Sequence, residues 1–205
     1  MGYIFILFAM KLYKHLIIKW RELILTLILS IFSYNIRAQE IDSLIIWDKN
    51  NKLSWDDFLG APNYNQRVTA LSFLEMQLIR SYHNYEIYSY TIIPTFNRYR
   101  SFSKDKISDN LLEHEQLHFD IQEIFARKIR KQFQQLKKDN ACDISYIEVY
   151  NKYTLLLKKY QYKFDISTNY SSKKIKQQMW YTIILNKLNK LDLYSVENFY
   201  GIQKN

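Results

Sequence analysis

Two histidines four residues apart, with a glutamate beside the first, are the residues of this sequence best suited to chemistry. They are His114, Glu115 and His118, in the stretch LLEHEQLHFDI. On an α-helix, residues four apart are rotated by about 40° and rise about 6 Å, so both imidazoles can reach one ion. Zinc accepts imidazole nitrogens at about 2.0–2.1 Å. A glutamate beside the pair can take a proton from a water that zinc acidifies, which is the chemistry of the H-E-x-x-H motif.

The same residues also have an ordinary interpretation, in which two histidines lie on a half-buried helix and bond to water or backbone. The full triplet and its apolar neighbours favour the metal site. The sequence therefore predicts a Zn²⁺ site with His114 and His118 as ligands and Glu115 as general base.

A helix must hold this motif, and the periodicity predicts one that begins at Ser108 or Asp109, either of which is a suitable N-cap. Apolar residues then recur at three- and four-residue spacing as far as Leu136. Two further helices are predicted at about 144–160 and 172–191.

Strands are predicted upstream, between about residues 41 and 102. The runs at 68–79 and 85–93 are rich in β-branched and aromatic residues, and a turn at 81–84 would join them. Pro94 is expected to end the second strand or to place it at an edge. Antiparallel strands followed by helices at about 108–191 predict an α+β fold.

The composition is that of a globular domain. Glycine and proline are scarce, at 3 and 2 residues, which argues against a linker protein or a turn-rich barrel. The net charge of +9 lies partly in the first 38 residues, and a modestly basic remainder argues against nucleic acid as a partner. The basic run at 127–131 is expected to be a solvated helix face. The single cysteine, Cys142, cannot form an internal disulfide.

Residues 1–38 have the pattern of a signal peptide. A basic stretch, KLYKHLIIKWR, precedes the apolar run LILTLILSIFSYNI, and Ala38 then stands before Gln39. The apolar run is short for a membrane span of about 20 residues. We therefore expect cleavage near Gln39 and one exported domain at 39–205, periplasmic or extracellular, with an uncleaved N-terminal anchor as the alternative.

The run HEQLHFDI, together with the earlier stretch WDDFLGAP, resembles an uncharacterised bacterial family of predicted secreted zinc-dependent proteases. A later segment, FDISTNYSSKKIKQQMW, is similar to a third stretch of that family. The resemblance covers about residues 44–190. It implies a metalloprotease-like domain, a zinc cofactor and a peptide or protein substrate.

Three residues of the later segment depart from the family pattern. Phe164 stands where the family has tyrosine. Ser167 stands where the family has glutamate, and Tyr170 stands where it has histidine. A catalytic zinc needs three protein ligands and one open position. Asp165, which matches the family segment, is the first candidate for the third ligand, and the phenolate of Tyr170 is the second.

Other residues stay open as ligands or supports of the site. Asp120 points away from the histidines and is either an outer partner of the site or a surface carboxylate paired with a basic residue. His83 is the remaining histidine beyond the N-terminal segment, and Asp143 and Glu148 lie on the next predicted helix.

We expect an exported zinc-dependent peptidase in which Glu115 is the general base and Tyr170 can stabilise the oxyanion. The alternative is a degenerate metal-binding or interaction protein of the same fold, because Ser167 and Tyr170 depart from the family pattern. A basic surface-binding module with an incidental motif is a third interpretation. The sequence does not predict the oligomeric state.

Overall fold

The computed structural model describes residues 43–62, 64–65, 68–83 and 86–200 of the protein. The predicted signal peptide or anchor, residues 1–38, lies outside these residues, so its cleavage and the export of the chain stay predictions. None of the described helices is both long enough and apolar enough to span a bilayer.

The strands of the described chain form two antiparallel sheets. β4 is the central strand of a three-stranded sheet with the order β1-β4-β3, whereas β2 and β5 pair separately. The strands are β1 (Leu44–Ile46), β2 (Ala70–Leu71), β3 (Leu74–His83), β4 (Glu86–Asn97) and β5 (Phe102–Ser103).

Helices fill the second half of the described chain. Short 3-10 turns occur at Trp55–Asp57 and Asp192–Tyr194. The α-helices are α1 (Asp109–Lys138), α2 (Asp143–Thr168), α3 (Lys174–Lys190) and α4 (Val196–Tyr200). The predicted α+β fold, with antiparallel strands followed by helices, is confirmed.

Helix α1 begins and ends as its sequence predicts. The side chain of Ser108 accepts a hydrogen bond from the backbone N–H of Leu111, which satisfies one of the free donors of the first turn. Lys137 and Lys138 lie in the last turn, where positive charge complements the helix dipole. These caps fix the position of the motif in the second and third turns of a helix of 30 residues.

The core lies on both sides of α1. One side packs against the sheet, where Ile92 and Phe96 of β4 are fully buried and the Phe96 ring centroid is 6.2 Å from that of Phe119. The other side packs against α2 and α3, where Phe164 and Ile184 are almost fully buried. Because α1 is enclosed by a sheet and two helices, the side chains that it presents to α2 are held in fixed positions.

Two expectations about the hairpin of β3 and β4 are wrong. The turn predicted at 81–84 begins too early, because β3 continues through His83. Pro94 lies inside the central strand rather than at an end or an edge. The carbonyl of Pro94 accepts a hydrogen bond from the backbone N–H of Trp47 at 3.2 Å. In an antiparallel strand the nitrogen and carbonyl of one residue face the same side, so the nitrogen of Pro94 also faces β1. The last residue pair between β1 and β4 is Ile46 with Thr95, and Pro94 lies beyond it. The missing N–H of proline therefore falls beyond the end of β1.

The run predicted as one strand at 68–79 is divided between the two sheets. Ser72 and Phe73 separate β2 from β3. The backbone N–H of Phe73 donates to Oγ of Ser101 at 2.8 Å, so a side chain replaces the strand partner at this point. The break directs residues 68–74 past the N-terminal half of α1.

The basic run at 127–131 is not wholly a solvated face, as the sequence predicted. Arg127 and Arg130 are 2% and 0% exposed. Both donate to Oε1 of the fully buried Glu123, at 2.7 and 3.0 Å. Arg130 also donates to the carbonyl of Ile92 in β4, and Arg127 to that of Leu188 in α3. The two guanidinium groups therefore join α1 to the sheet and to α3.

Candidate functional site

Helices α1 and α2 bring two imidazole nitrogens and one carboxylate oxygen to a single point. Nε2 of His114 lies 3.1 Å from Oδ1 of Asp165, and Nε2 of His118 lies 2.8 Å from the same oxygen. The ligand atoms of these three residues all lie within 4.8 Å of one another. The two histidines share one face of α1 because they are four residues apart, and that face meets the C-terminal part of α2.

This donor set fits a divalent transition-metal ion. In a tetrahedral zinc site with bonds of about 2.0–2.1 Å, neighbouring ligand atoms are about 3.3 Å apart, close to the two observed separations. Two imidazoles and one carboxylate are ligands that zinc accepts. Because the same set also surrounds iron(II) in other proteins, the choice of zinc depends on the chemistry of the neighbouring residues.

Gln177 fixes the tautomer of His114. The amide nitrogen of Gln177 faces three acceptors, which are the backbone carbonyl and side-chain oxygen of Asn110 and Oε2 of Glu113. Its oxygen must therefore face Nδ1 of His114, 3.3 Å away, and that nitrogen donates the hydrogen bond. In the neutral imidazole, Nε2 then carries the lone pair and points at Asp165. When His114 is neutral, two groups with lone pairs face each other at this point, and His114 can donate to Asp165 only after it gains a proton. A cation between the two groups, whether a proton or a metal ion, satisfies both of them.

Phe164 sets the planes of both imidazole rings. It stacks on His114 with ring centroids 4.5 Å apart, and it meets His118 edge-on at 5.0 Å. The ring of Trp180 meets that of Phe164 edge-on, with ring centroids 5.4 Å apart. Nε1 of Trp180 donates a hydrogen bond to Oγ of Ser167 at 2.5 Å. Ser167 therefore supports the packing behind the site rather than lying among the converging ligand atoms.

The electrostatics of the three converging groups favour a charged pair when no metal is bound. Burial acts to raise the pKa of Asp165, but hydrogen bonds and charge from His114 and His118 outweigh it and lower that pKa to about 2. Burial acts to lower the pKa of His118, but Asp165 and Glu115 outweigh it, so the pKa is raised. When His118 is protonated, its proton lies between Nε2 and Oδ1 of Asp165, in the position that a metal ion would take, and metal must displace it.

Glu115 lies beside the converging ligands without joining them. It is 5% exposed, and the hydroxyl of Ser72 donates to its Oε2 at 2.6 Å. This bond crosses from the link between β2 and β3 to α1, and it holds the carboxylate in one orientation. One oxygen is thereby committed to Ser72, and the other is left for proton transfer.

A cleft of about 960 Å³ opens over these residues. His114, Glu115 and His118 form its floor, and residues 68–74 form one wall. Tyr170, which is 53% exposed, lies at the rim of the same cleft as Asp165. The structure thus places all five residues singled out as catalytic or metal-binding around one opening.

The remaining candidates lie elsewhere. Asp120 is buried and accepts hydrogen bonds from Trp47 and Gln116, both at 2.8 Å, and from Lys52 at 3.2 Å. It ties the segment after β1 to α1. The expected pairing with a basic residue is therefore present, with Lys52, but the carboxylate is buried and does not contact the metal ligands. Asp143 lies at the other end of α2, about 33 Å along the helix from Asp165 at 1.5 Å per residue.

Glu148 is likewise about 25 Å from Asp165 along α2 at the same rise. His83 is the last residue of β3.

Sequence reasoning assigned no role to Gln177, Ser72 or Phe164. Gln177 and Phe164 lie in the segment that resembles the protease family. Gln177 matches the family pattern, which was the available signal, whereas Phe164 stands where the family has tyrosine. Ser72 had none, because it approaches Glu115 only through the break between β2 and β3.

Searches of protein-family models, of curated proteins and of solved structures returned no match to this chain.

Proposed function

We propose that the protein is an exported zinc-dependent peptidase whose site is formed by His114, His118, Asp165 and Glu115. The observation that carries this proposal is the convergence of Nε2 of both histidines on Oδ1 of Asp165. A buried carboxylate beside that point, lining the same open cleft, favours hydrolysis over a purely structural metal site. Export rests on the signal-peptide pattern of residues 1–38.

His114, His118 and Asp165 would hold the ion. Zinc bound there supplies Lewis acidity, which polarises a peptide carbonyl and lowers the pKa of water. The residues of the chain orient the reactants and move the protons. Gln177 and Phe164 keep the two imidazoles in place, so binding the ion requires little rearrangement.

Glu115 is the general base and then the general acid. Because Ser72 occupies Oε2, Oε1 takes the proton from the attacking water and returns it to the leaving amine. The phenol of Tyr170, at the rim of the cleft, is placed to donate a hydrogen bond to the oxyanion that forms. Tyr170 therefore has a catalytic role in this proposal without being a ligand.

The test is to compare zinc content and peptide hydrolysis in zinc-loaded full-length variants. Glu115→Gln keeps the shape of the side chain and removes the base, so it should retain zinc and lose about 10²–10⁴-fold in kcat. Tyr170→Phe should also retain zinc and lose about 10²-fold. Glu148→Gln, an exposed acid on α2, is the matched control and should change neither.

Stoichiometric zinc without hydrolysis of any peptide mixture would overturn the peptidase proposal and favour a degenerate metal-binding protein of the same fold. Equal hydrolysis by the wild type and Glu115→Gln would refute the role of Glu115.

A further inference from the structure

One residue on the wall of the cleft has no part in the proposed chemistry. Lys158 lies on α2 and lines the same cleft as the converging ligands. It is exposed, and no ion pair joins it to another described residue. It is the one lysine or arginine among the described residues that line the cleft.

The helix places Lys158 in line with the ligands. Residues seven apart on an α-helix differ by only about 20° in direction and by about 10.5 Å in height. Lys158 and Asp165 are seven apart, so they lie on one face of α2, and Gln161 and Tyr162 line the cleft between them. The cleft therefore runs along α2 for about two turns.

The opposite wall suits an extended chain. Residues 68–74 all line the cleft. The carbonyl of Thr69 accepts from Lys104 at 2.8 Å, on the β5 side. Since successive residues of a strand direct their N–H and C=O groups to opposite sides, those of Ala70 point away from β5. They are available to pair with another extended backbone, as in the addition of a strand to a sheet edge.

The charge along the α2 side of the cleft favours an anionic occupant. Glu115 and Asp165 together balance the charge of a divalent ion, so Lys158 leaves the cleft with a net positive charge. The surrounding sequence adds to that field, because residues 149–191 contain nine lysines and one acidic side chain, Asp165.

We propose that the cleft binds an extended peptide and that Lys158 recognises a carboxylate of that peptide about three residues from the cleaved bond. The distance follows from a rise of about 3.3 Å per residue in an extended chain, set against about 10.5 Å along α2. This inference rests on the proposed peptidase function of the same cleft. The carboxylate is either an acidic side chain or the C-terminus of the peptide.

The test is the cleavage profile of full-length, zinc-loaded protein on a mixed peptide library, read by mass spectrometry. The wild type should prefer Asp or Glu at one position about three residues from the cleaved bond, by about fivefold or more. Lys158→Ala should lose this preference and Lys158→Glu should reverse it toward Lys and Arg. Lys158→Arg should keep it. Lys159→Glu, an exposed neighbour that does not line the cleft, is the control for general charge and should keep it too.

Repeating the digest with C-terminally amidated peptides separates the two sources of the carboxylate. Loss of the preference on amidation assigns it to the C-terminus, and its persistence assigns it to a side chain. A profile without any acidic preference, or one that Lys158→Glu leaves unchanged, overturns the inference.

A binding measurement separates this inference from the peptidase proposal. Fluorescence anisotropy of labelled acidic and neutral peptides on the zinc-loaded Glu115→Gln chain needs no turnover. Tighter binding of the acidic peptide, lost on adding Lys158→Glu but not Lys159→Glu, supports the inference even if the wild type cleaves nothing. Cleavage without any charge preference keeps the peptidase proposal and refutes the role of Lys158. Absence of both cleavage and charge-dependent binding refutes both.

Discussion

The side-chain oxygen of Gln177 lies 3.3 Å from Nδ1 of His114 and holds that imidazole with its Nε2 directed at Asp165. Gln177 is fully buried and comes from α3, whereas His114 and Asp165 come from α1 and α2. Three helices therefore meet at this one imidazole. The contact connects the packing of the helical part to the geometry of the candidate metal site.

Replacing Gln177 with leucine should weaken zinc binding about 10–100-fold, because the partner that orients a ligating histidine would be lost. The dissociation constant is measured by competition with a chromogenic chelator. Gln178→Leu, at the exposed neighbouring position, is the control and should bind zinc as the wild type does. If Gln177→Leu is folded by circular dichroism and binds zinc as tightly as the wild type, the contact between Gln177 and His114 does not affect zinc affinity.

Glu123→Gln should lower the free energy of unfolding by about 3–5 kcal/mol, because two buried guanidinium groups would lose their carboxylate partner. Chemical denaturation of the metal-free protein gives this value. Glu148→Gln removes an exposed carboxylate from α2 and should stay within about 0.5 kcal/mol of the wild type. A loss below about 1 kcal/mol in Glu123→Gln would mean that the two arginines are satisfied by their other partners, which are backbone carbonyls and, for Arg127, also Asp192.

The metal-free protein should depend on pH through the pair of His118 and Asp165. The pKa of Asp165 is lowered to about 2, so its contribution to stability is complete above its ordinary value of 3.8 and is lost as pH falls through about 2. The pKa of His118 is raised, so its contribution is complete below its ordinary value of 6.5 and is lost as pH rises through the folded pKa. Both contributions are therefore present together between about pH 4 and 6.5.

Asp165→Asn removes this pair, so it should destabilise the metal-free protein more at pH 5 than at pH 8. The measurement is the difference in unfolding free energy between the wild type and Asp165→Asn at both values, in the presence of a chelator. A difference that is as large at pH 8 as at pH 5 would show that no proton is shared between His118 and Asp165.

Local patterns were sufficient to predict α1 and its motif. The Ser108 cap, the apolar spacing and the positions of His114 and His118 all depend on residues close in the chain. The limits of the later helices were less accurate: α2 was expected to end near residue 160 but continues to Thr168 and so carries Asp165. That residue was named as a ligand only through the resemblance to the protease family.

Contacts between distant segments could not be predicted from local patterns. The burial of Arg127 and Arg130 depends on Glu123 at helical spacing and also on carbonyls of β4 and α3. The position of Pro94 inside a central strand depends on where β1 stops. The hydrogen bond from Ser72 to Glu115 depends on the break between the two sheets. A single strand predicted at 68–79 would instead keep Ser72 paired within one sheet.

The zinc content of the purified full-length protein tests the central claim most directly. After loading with zinc and removal of free metal, elemental analysis should give about one zinc per chain in the wild type and in Glu148→Ala. His114→Ala, His118→Ala and Asp165→Ala should each lose most of it, because a site with two protein ligands binds zinc weakly. A folded wild-type protein that retains no zinc, or variants that retain as much zinc as the wild type, would contradict the account.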